Sequence, residues 1–438
     1  MAHKIRAGAN HWPAEVGWAH DAVVSASPAP RVRYRDALAV GEFRALYSAY
    51  TVSVLGNVVS TVGLTVLVYE RTSSPLLSSL AFALGFLPYL LSGLLLSAVV
   101  DRLPARRLLV TCDLTSAVVV ATMAWPRTPL PALFGLLLVV SVVTSVSSGA
   151  RAGIVREVVG DAAFVPARSL MRISAQTAQI AGNGVGGALL VVLSPRTLIL
   201  ANSASFVFSA VVTRVGLRHR PAAAAATGTV LMDSLRGAGA VLGVRPLRRL
   251  LLFGWLVPMF SVFPESLAAP YVIGSGDSRA LVGWWLTALP VGVIVGDLAG
   301  VWVLSPARQK RWMARLAVLG FLPYLLFVFE PPVPVAMALL AVAGLGSASS
   351  LGLDARVRDT APHAIFARVM TINSAGLMTI QGLGFAAAGA LGETLSPGLV
   401  VALAGAGGLL TIAVLRPRLG ARPVAATAPD ARVRPRRG

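Results

Sequence analysis

A chain of 438 residues that is 56% hydrophobic and only 13% charged is too apolar for a string of soluble domains, in which about a quarter of residues are charged. Its net charge of +20 would suit a nucleic-acid binder, but the basic residues are dispersed over loops and tails, which leaves no patch to explain that way. The single cysteine, Cys112, excludes an intrachain disulfide and a multi-cysteine metal site, and the five histidines lie outside the apolar segments at no ligand spacing.

Residues 1–43 contain Arg and Pro but no apolar h-region, so they read as a cytoplasmic tail ahead of an uncleaved first span. Twelve apolar blocks follow, at roughly 45–69, 75–100, 107–126, 130–150, 170–193, 196–215, 249–272, 280–304, 312–330, 333–353, 369–391 and 397–415. Each is long enough to cross a hydrocarbon core about 30 Å thick as a helix. The turns WPRTPLP and FEPPVP separate two pairs of blocks, because proline disfavours one long helix there. With the N-terminus inside, the outer loops hold only Arg71, Arg127, Arg196 and Arg279 of the 38 Lys+Arg. That distribution follows the positive-inside rule and puts both termini in the cytoplasm.

Span one carries Ser53, Asn57, Ser60 and Thr61 on one helical face, a stripe that faces a cavity or a neighbouring helix rather than lipid. Span two contains GFLPYLL at 85–91, and span nine repeats it at 320–326. Span three holds Asp113 near its cytoplasmic end, and span five holds a second polar stripe, Arg172, Gln176, Gln179 and Asn183. The segment 216–248 reads as a cytoplasmic linker, with an amphipathic helix in LMDSLRGAGAVLGVRPLRR. Span seven supplies Trp255, Met259, Phe260, Phe263 and Glu265, and span eight supplies Trp284, Trp285 and Asp297; the aromatics and Met259 that face inward would form an aromatic wall of the cavity opposite the polar one. Trp284 and Trp285 read as interfacial anchors. Residues 417–438 form a basic cytoplasmic tail. The preponderance of Arg, with Lys4 and Lys310 the two lysines, points to a GC-rich bacterial source.

An acid inside a span costs about 2.5–3.5 kcal/mol on insertion scales, so Asp113, Glu265 and Asp297 each require a role. Asp297, in VIVGDLAGV, lies deepest in apolar surroundings and is the leading candidate for proton coupling. A static ion pair is the alternative for Asp297; Asp113, near its helix N-terminus, reads rather as structural; and Glu265 reads equally as a helix-break partner or an outer gate.

The two GFLPYLL copies fall in spans that run in opposite directions, so they do not mark a duplication. At an offset of 202 residues, Leu87-Pro88 meets Leu289-Pro290, Pro104-Ala105-Arg106 meets Pro306-Ala307-Arg308, and Leu193-Ser194-Pro195 meets Leu395-Ser396-Pro397. The expected architecture is therefore an all-α membrane protein, twelve transmembrane helices in two pseudo-symmetric six-helix bundles, 44–215 and 249–416. Parallel repeats of this kind suit a transporter with its site between the halves.

The loop SAVVDRLPARR (97–107) resembles the cytoplasmic signature G-x-x-x-D-R-x-G-x-R-R of the major facilitator superfamily. Asp101, Arg102, Arg106 and Arg107 match it, while Ser97 and Pro104 stand where glycine is usual. ARAGIVREVVGDAAFVPARSL (150–170) and IFARVMT (365–371) resemble a branch that contains macrolide efflux pumps and the enterobactin exporter. The resemblance implies a cytoplasmic latch in which Asp101 engages the start of span eleven near Arg368, with Arg151 close by. Ordinary topology-setting charges are the alternative.

Together these features lead to the expectation of a monomeric secondary transporter in a bacterial cell membrane that exports an amphipathic drug or natural product in exchange for protons. Its partners are that small molecule, protons and the lipid bilayer, with no cofactor, no metal and no nucleic acid. No Walker A sequence and no catalytic constellation is present, so neither ATP hydrolysis nor an enzyme is expected. Proton-coupled or facilitated uptake of a metabolite, or a non-transporting receptor or assembly partner, are the alternatives.

Overall fold

The computed structural model describes residues 34–95, 104–220, 242–361 and 366–416. Asp101, Arg102 and most of the linker's expected amphipathic helix lie outside the described residues. Within them every regular element is a helix. The first bundle consists of α1 (Tyr34–Ala39), α2 (Gly41–Thr72), α3 (Pro75–Leu95), α4 (Ala105–Met123), α5 (Leu130–Leu189) and α6 (Pro195–Gly216). The second consists of α7 (Arg245–Ser261), α8 (Phe263–Ser266), α9 (Ala268–Gly274), α10 (Ala280–Val303), α11 (Pro306–Leu325), α12 (Val333–Gly344), α13 (Ser349–Thr360), α14 (Phe366–Gly392) and α15 (Pro397–Leu415).

Nine helices or helix runs among the described residues are long and apolar enough to cross a membrane. The other three expected spans coincide with α3, α4 and the second limb of α5. The segment 150–170, expected as a loop, is helical instead, and α5 turns only at Gly160, with φ 73° and ψ 169°. Glycine reaches that backbone region without a Cβ penalty, so one residue makes the reversal that a loop was expected to make. Span seven is likewise broken, running through α7, α8 and α9 with Pro264 in the first turn of α8. Proline supplies no N–H to the preceding turn, and this break sets the direction of Glu265.

The two GFLPYLL copies sit in different surroundings. Gly85 has open space around it, whereas Gly320 packs on Gly346, and the helix that holds the second copy tightens to a 3₁₀ turn at Leu326–Phe329.

Between the bundles, α3 packs on α14 and α5 on α10. These two contacts exchange under the 202-residue offset, so the halves use equivalent faces against each other. The helix ends near residues 72, 190, 274 and 392 are called distal here, and those near 41, 216, 245 and 415 terminal. At the distal end one apolar core crosses both bundles, joining Val62, Val66 and Phe82 to Leu267, Trp285 and Phe385. At the terminal end the cores are separate, with Phe43, Leu46, Leu109 and Ile154 in one bundle and Leu247, Leu250, Leu251 and Val357 in the other.

Candidate functional site

The shared distal core is sealed by polar contacts on both sides. On one side Gly187 and Gly283 bring α5 and α10 together so closely that a Cβ on Gly283 would stand 2.4 Å from the Asn183 carbonyl oxygen and from the Gly187 Cα. Small residues permit this approach between membrane helices. Asn183 donates from Nδ2 to the Leu286 carbonyl at 2.9 Å, and Arg279 reaches Glu70 at 3.4 Å and the Leu190 carbonyl at 3.3 Å. On the other side Glu393 accepts from the Leu76 amide at 2.9 Å and from the Ser74 hydroxyl. Ser266 donates to Ser79 at 2.7 Å, and the rings of Phe82 and Phe86 stack on Phe385 at 5.1 and 5.3 Å.

Away from this seal, the polar stripe of α5 becomes progressively accessible. Asn183 is buried, Gln179 half-buried, and Gln176 and Arg172 exposed. The stripe is thus sealed at the distal end and accessible toward the terminal end.

The span-one stripe lies elsewhere. Ser53 and Ser60 are only 5% and 8% exposed, and Asn57 accepts from Asn202 Nδ2 at 3.0 Å, so α2 uses this face against α6. Thr61 turns back on its own helix, donating to the Asn57 carbonyl at 2.9 Å. The expected cavity wall is here an interhelical contact joined by the Asn57–Asn202 hydrogen bond, with Ser205 of α6 packed against Gly56. The i, i+3, i+7 spacing of Asn202, Ser205 and Ser209 is the sequence signal for that face of α6. Asn57→Leu is expected to lower the melting temperature of the purified protein, since it strips the buried Asn202 amide of its acceptor at a cost of about 1–3 kcal/mol. An unchanged melting temperature would return Asn57 to the cavity wall.

Of the expected aromatic wall, Trp255 and Met259 are half-buried against α14. Trp255 donates to the Asn373 carbonyl at 3.0 Å and covers Gly376, and Met259 packs on Gly384. Phe263 does not line a cavity. It is 3% exposed in the shared core, because the break at Pro264 turns it inward. Trp285 is not an interfacial anchor either. It is 1% exposed, donates to the Pro264 carbonyl at 2.8 Å and stacks on Tyr271 at 4.7 Å.

The three membrane acids occupy three environments. Asp113 is buried and accepts from Ser209 at 2.7 Å, in the field of Arg151. Arg151, expected beside the loop latch, is 7% exposed inside the first bundle, its guanidinium 5.1 Å above the Tyr50 ring and 3.4 Å from Ser147. Asp297 accepts from Ser347 at 2.8 Å, on the face where α10 meets the 3₁₀ turn Leu345–Ala348. Asp354, on α13, one residue past the apolar block 333–353, interacts electrostatically with Asp297. Glu265 differs from the others. No hydrogen bond or ion pair reaches its carboxylate among the described residues, and it faces a small apolar cavity lined by Trp285, Leu286, Leu289, Pro290 and Leu340.

Of the latch residues, Arg106 donates to the Arg214 carbonyl and Arg107 is exposed, the two lining one groove with His219. Arg368 lies in the first turn of α14. Among the described residues no group of three or more His, Cys, Asp or Glu has an arrangement that would hold a metal ion.

Residues 46–271 match the family model described as Major Facilitator Superfamily. The chain is similar to the multidrug efflux pump Tap of Mycolicibacterium fortuitum, 27% identical over 370 residues that cover 80% of this chain and 88% of that protein. The pump of the same name from Mycobacterium tuberculosis (strain ATCC 25618 / H37Rv) is 27% identical over 307 residues, covering 66% and 72%. Among solved structures, the nucleoside transporter NupG superposes with a TM-score of 0.65 at 15% identity, covering 85% of this chain and 98% of that one. A bacterial homologue of the iron transporter ferroportin, in an inward-facing state, gives a TM-score of 0.63 at 16% identity over 86% and 98%. At these identities the likeness shows a shared fold.

Proposed function

We propose a drug exporter driven by protons: the chain belongs to the Major Facilitator Superfamily and is a multi-pass membrane transporter rather than an enzyme. Export is supported by the relatives named multidrug efflux pumps, which the chain matches over most of its length. The observation that carries the mechanism is the apolar core common to both bundles at the distal end, set against separate cores at the terminal end; in this proposal the space between the terminal ends is the loading cleft. With both termini cytoplasmic, as the positive-inside distribution supports, this cleft loads from the cytoplasm. Rocking of the twelve-helix bundle pair about the central site then delivers the cargo outside.

In this proposal the amides of Gln176 and Gln179 supply hydrogen bonds to the cargo, and the half-buried Trp255 and Met259 supply apolar contact. That combination suits a mid-sized amphipathic molecule better than a sugar or an inorganic ion. Proton coupling falls to Glu265 in this proposal, because Asp113 and Asp297 already have hydroxyl donors while Glu265 has none.

The test uses inside-out vesicles with an acid interior and a panel of amphipathic drugs added outside. Proton release that requires both the protein and a drug supports antiport and identifies the cargo. Silence across the panel transfers the reading to uptake of a metabolite, to be followed in intact cells. In the same assay Asp297→Asn is expected to retain proton release within about threefold of the parent, since an amide oxygen still accepts from Ser347. Loss of release in that variant would move the coupling role to Asp297.

A further inference from the structure

Serine occurs twice in succession near the start of α3, at Ser78 and Ser79, and both are fully buried. Neighbours on a helix point about 100° apart, so the pair serves two partners. Ser78 donates to the Thr65 carbonyl of α2 at 3.3 Å, inside its own bundle. Ser79 faces the other bundle and meets Ser266, which ends the short helix α8 and is equally buried. Gly389 of α14 makes room for this approach, since a Cβ there would stand 2.6 Å from the Ser79 Cβ and 2.9 Å from the Leu76 Cα. The rest of α8 is held from other sides, with Phe263 in the shared core and the Pro264 carbonyl accepting from Trp285 at 2.8 Å.

Each of the two hydroxyls has an acceptor in both directions. Ser266 Oγ lies 2.7 Å from Ser79 Oγ across the joint and 3.0 Å from the Phe385 carbonyl in its own bundle. Ser79 Oγ lies 3.2 Å from the Ser266 carbonyl across the joint and 2.7 Å from the Pro75 carbonyl of its own helix. A hydroxyl carries one proton and donates it to one acceptor at a time, so the pair has two complete arrangements. In one, Ser266 donates to Ser79 and Ser79 to the Ser266 carbonyl, and both bonds cross between the bundles. In the other, Ser266 donates to Phe385 and Ser79 to Pro75, and each bundle keeps its own. Neither arrangement orphans a buried donor, whereas parting an ordinary buried hydrogen bond strands one. The cross-bundle bond on the opposite side lacks this provision, because the Asn183 amide that donates to the Leu286 carbonyl donates nowhere else among the described residues.

We propose that Ser79 and Ser266 are positioning residues for opening at the distal end. Their hydroxyls form a two-position clasp that holds α3 to α8 while this end is shut and turns each O–H back to its own bundle as the end parts. The clasp sets how readily the joint opens and adds little to the stability of the fold. It acts for any cargo and for either direction of transport, so it stands apart from the export reading.

Two measurements on the full-length protein with a cysteine introduced at Thr287, beside the joint at Gly184, test the clasp. One is the rate of labelling by a membrane-impermeant maleimide from outside intact cells, and the other is the melting temperature of the purified protein. Ser79→Ala removes both crossing bonds and leaves Ser266 its Phe385 acceptor. Labelling is expected to rise about threefold to tenfold, with the melting temperature within about 2 °C of the parent. Ser266→Ala removes one crossing bond, since the Ser266 carbonyl still accepts from Ser79, and is expected to give a smaller rise. The pair should match Ser79→Ala alone, because both act on one contact. Labelling at the parental rate in Ser79→Ala would overturn the proposal, since the clasp would then restrain nothing. A fall in melting temperature of about 5 °C or more in either single variant, or failure to yield folded protein, would also overturn it, because a partner with a second acceptor is not stranded by the loss.

Discussion

Gly283→Leu is expected to cut export sharply while the protein still inserts in the membrane. At this position the obstacle is backbone: the Asn183 carbonyl and the Gly187 Cα both lie 2.4 Å from where a Cβ would sit. No rotamer change relieves an overlap with main chain, so α10 must retreat from α5. Forced overpacking of this kind costs about 1–3 kcal/mol, a shift of about 5- to 150-fold between two conformations. The distal-closed form carries the contact, so the equilibrium moves toward a form open at that end. Export should fall at least about tenfold. A cysteine introduced at Thr287 should label faster from outside the cell, with the buried Cys112 contributing little background. Normal export by the Leu variant would mean that the bundles need not touch here during transport.

Glu265→Gln is expected to eliminate drug-driven proton release and leave drug-for-drug exchange intact. The substitution preserves the shape of the side chain and its place in the broken span, and removes only the proton that can be gained and lost. If proton release persists in this variant, Glu265 is part of the helix break and the coupling group lies elsewhere.

These expectations combine what the sequence displayed with what it concealed. Span positions were legible because twenty apolar residues in a row have few other fates in a chain this poor in charge. The parallel halves were legible because short loop motifs recur at a constant offset. The partner of each helical face was not legible. The serine and asparagine stripe of α2 has the same periodicity whether it meets water or α6, and only the position of Asn202 decides between them. The turn at Gly160 was hidden for a related reason. A polar segment between two apolar ones reads as a loop, yet here it continues as helix on both sides of one glycine. Phe263 and Trp285 were misplaced because the local sequence shows that Pro264 breaks the helix but not toward which neighbour the break turns.

The unequal distribution of apolar packing has a kinetic consequence. Splitting the distal end must hydrate surfaces of Val62, Phe82, Trp285 and Phe385 that are dry together, whereas the terminal ends already keep their dry interiors apart. In the proposed export cycle the distal-closed form is therefore the one poised to load, and opening the distal end is the step that draws on the driving force. Spontaneous leakage is slow under that arrangement, because an unloaded molecule has no binding energy to set against the wetting of its own joint.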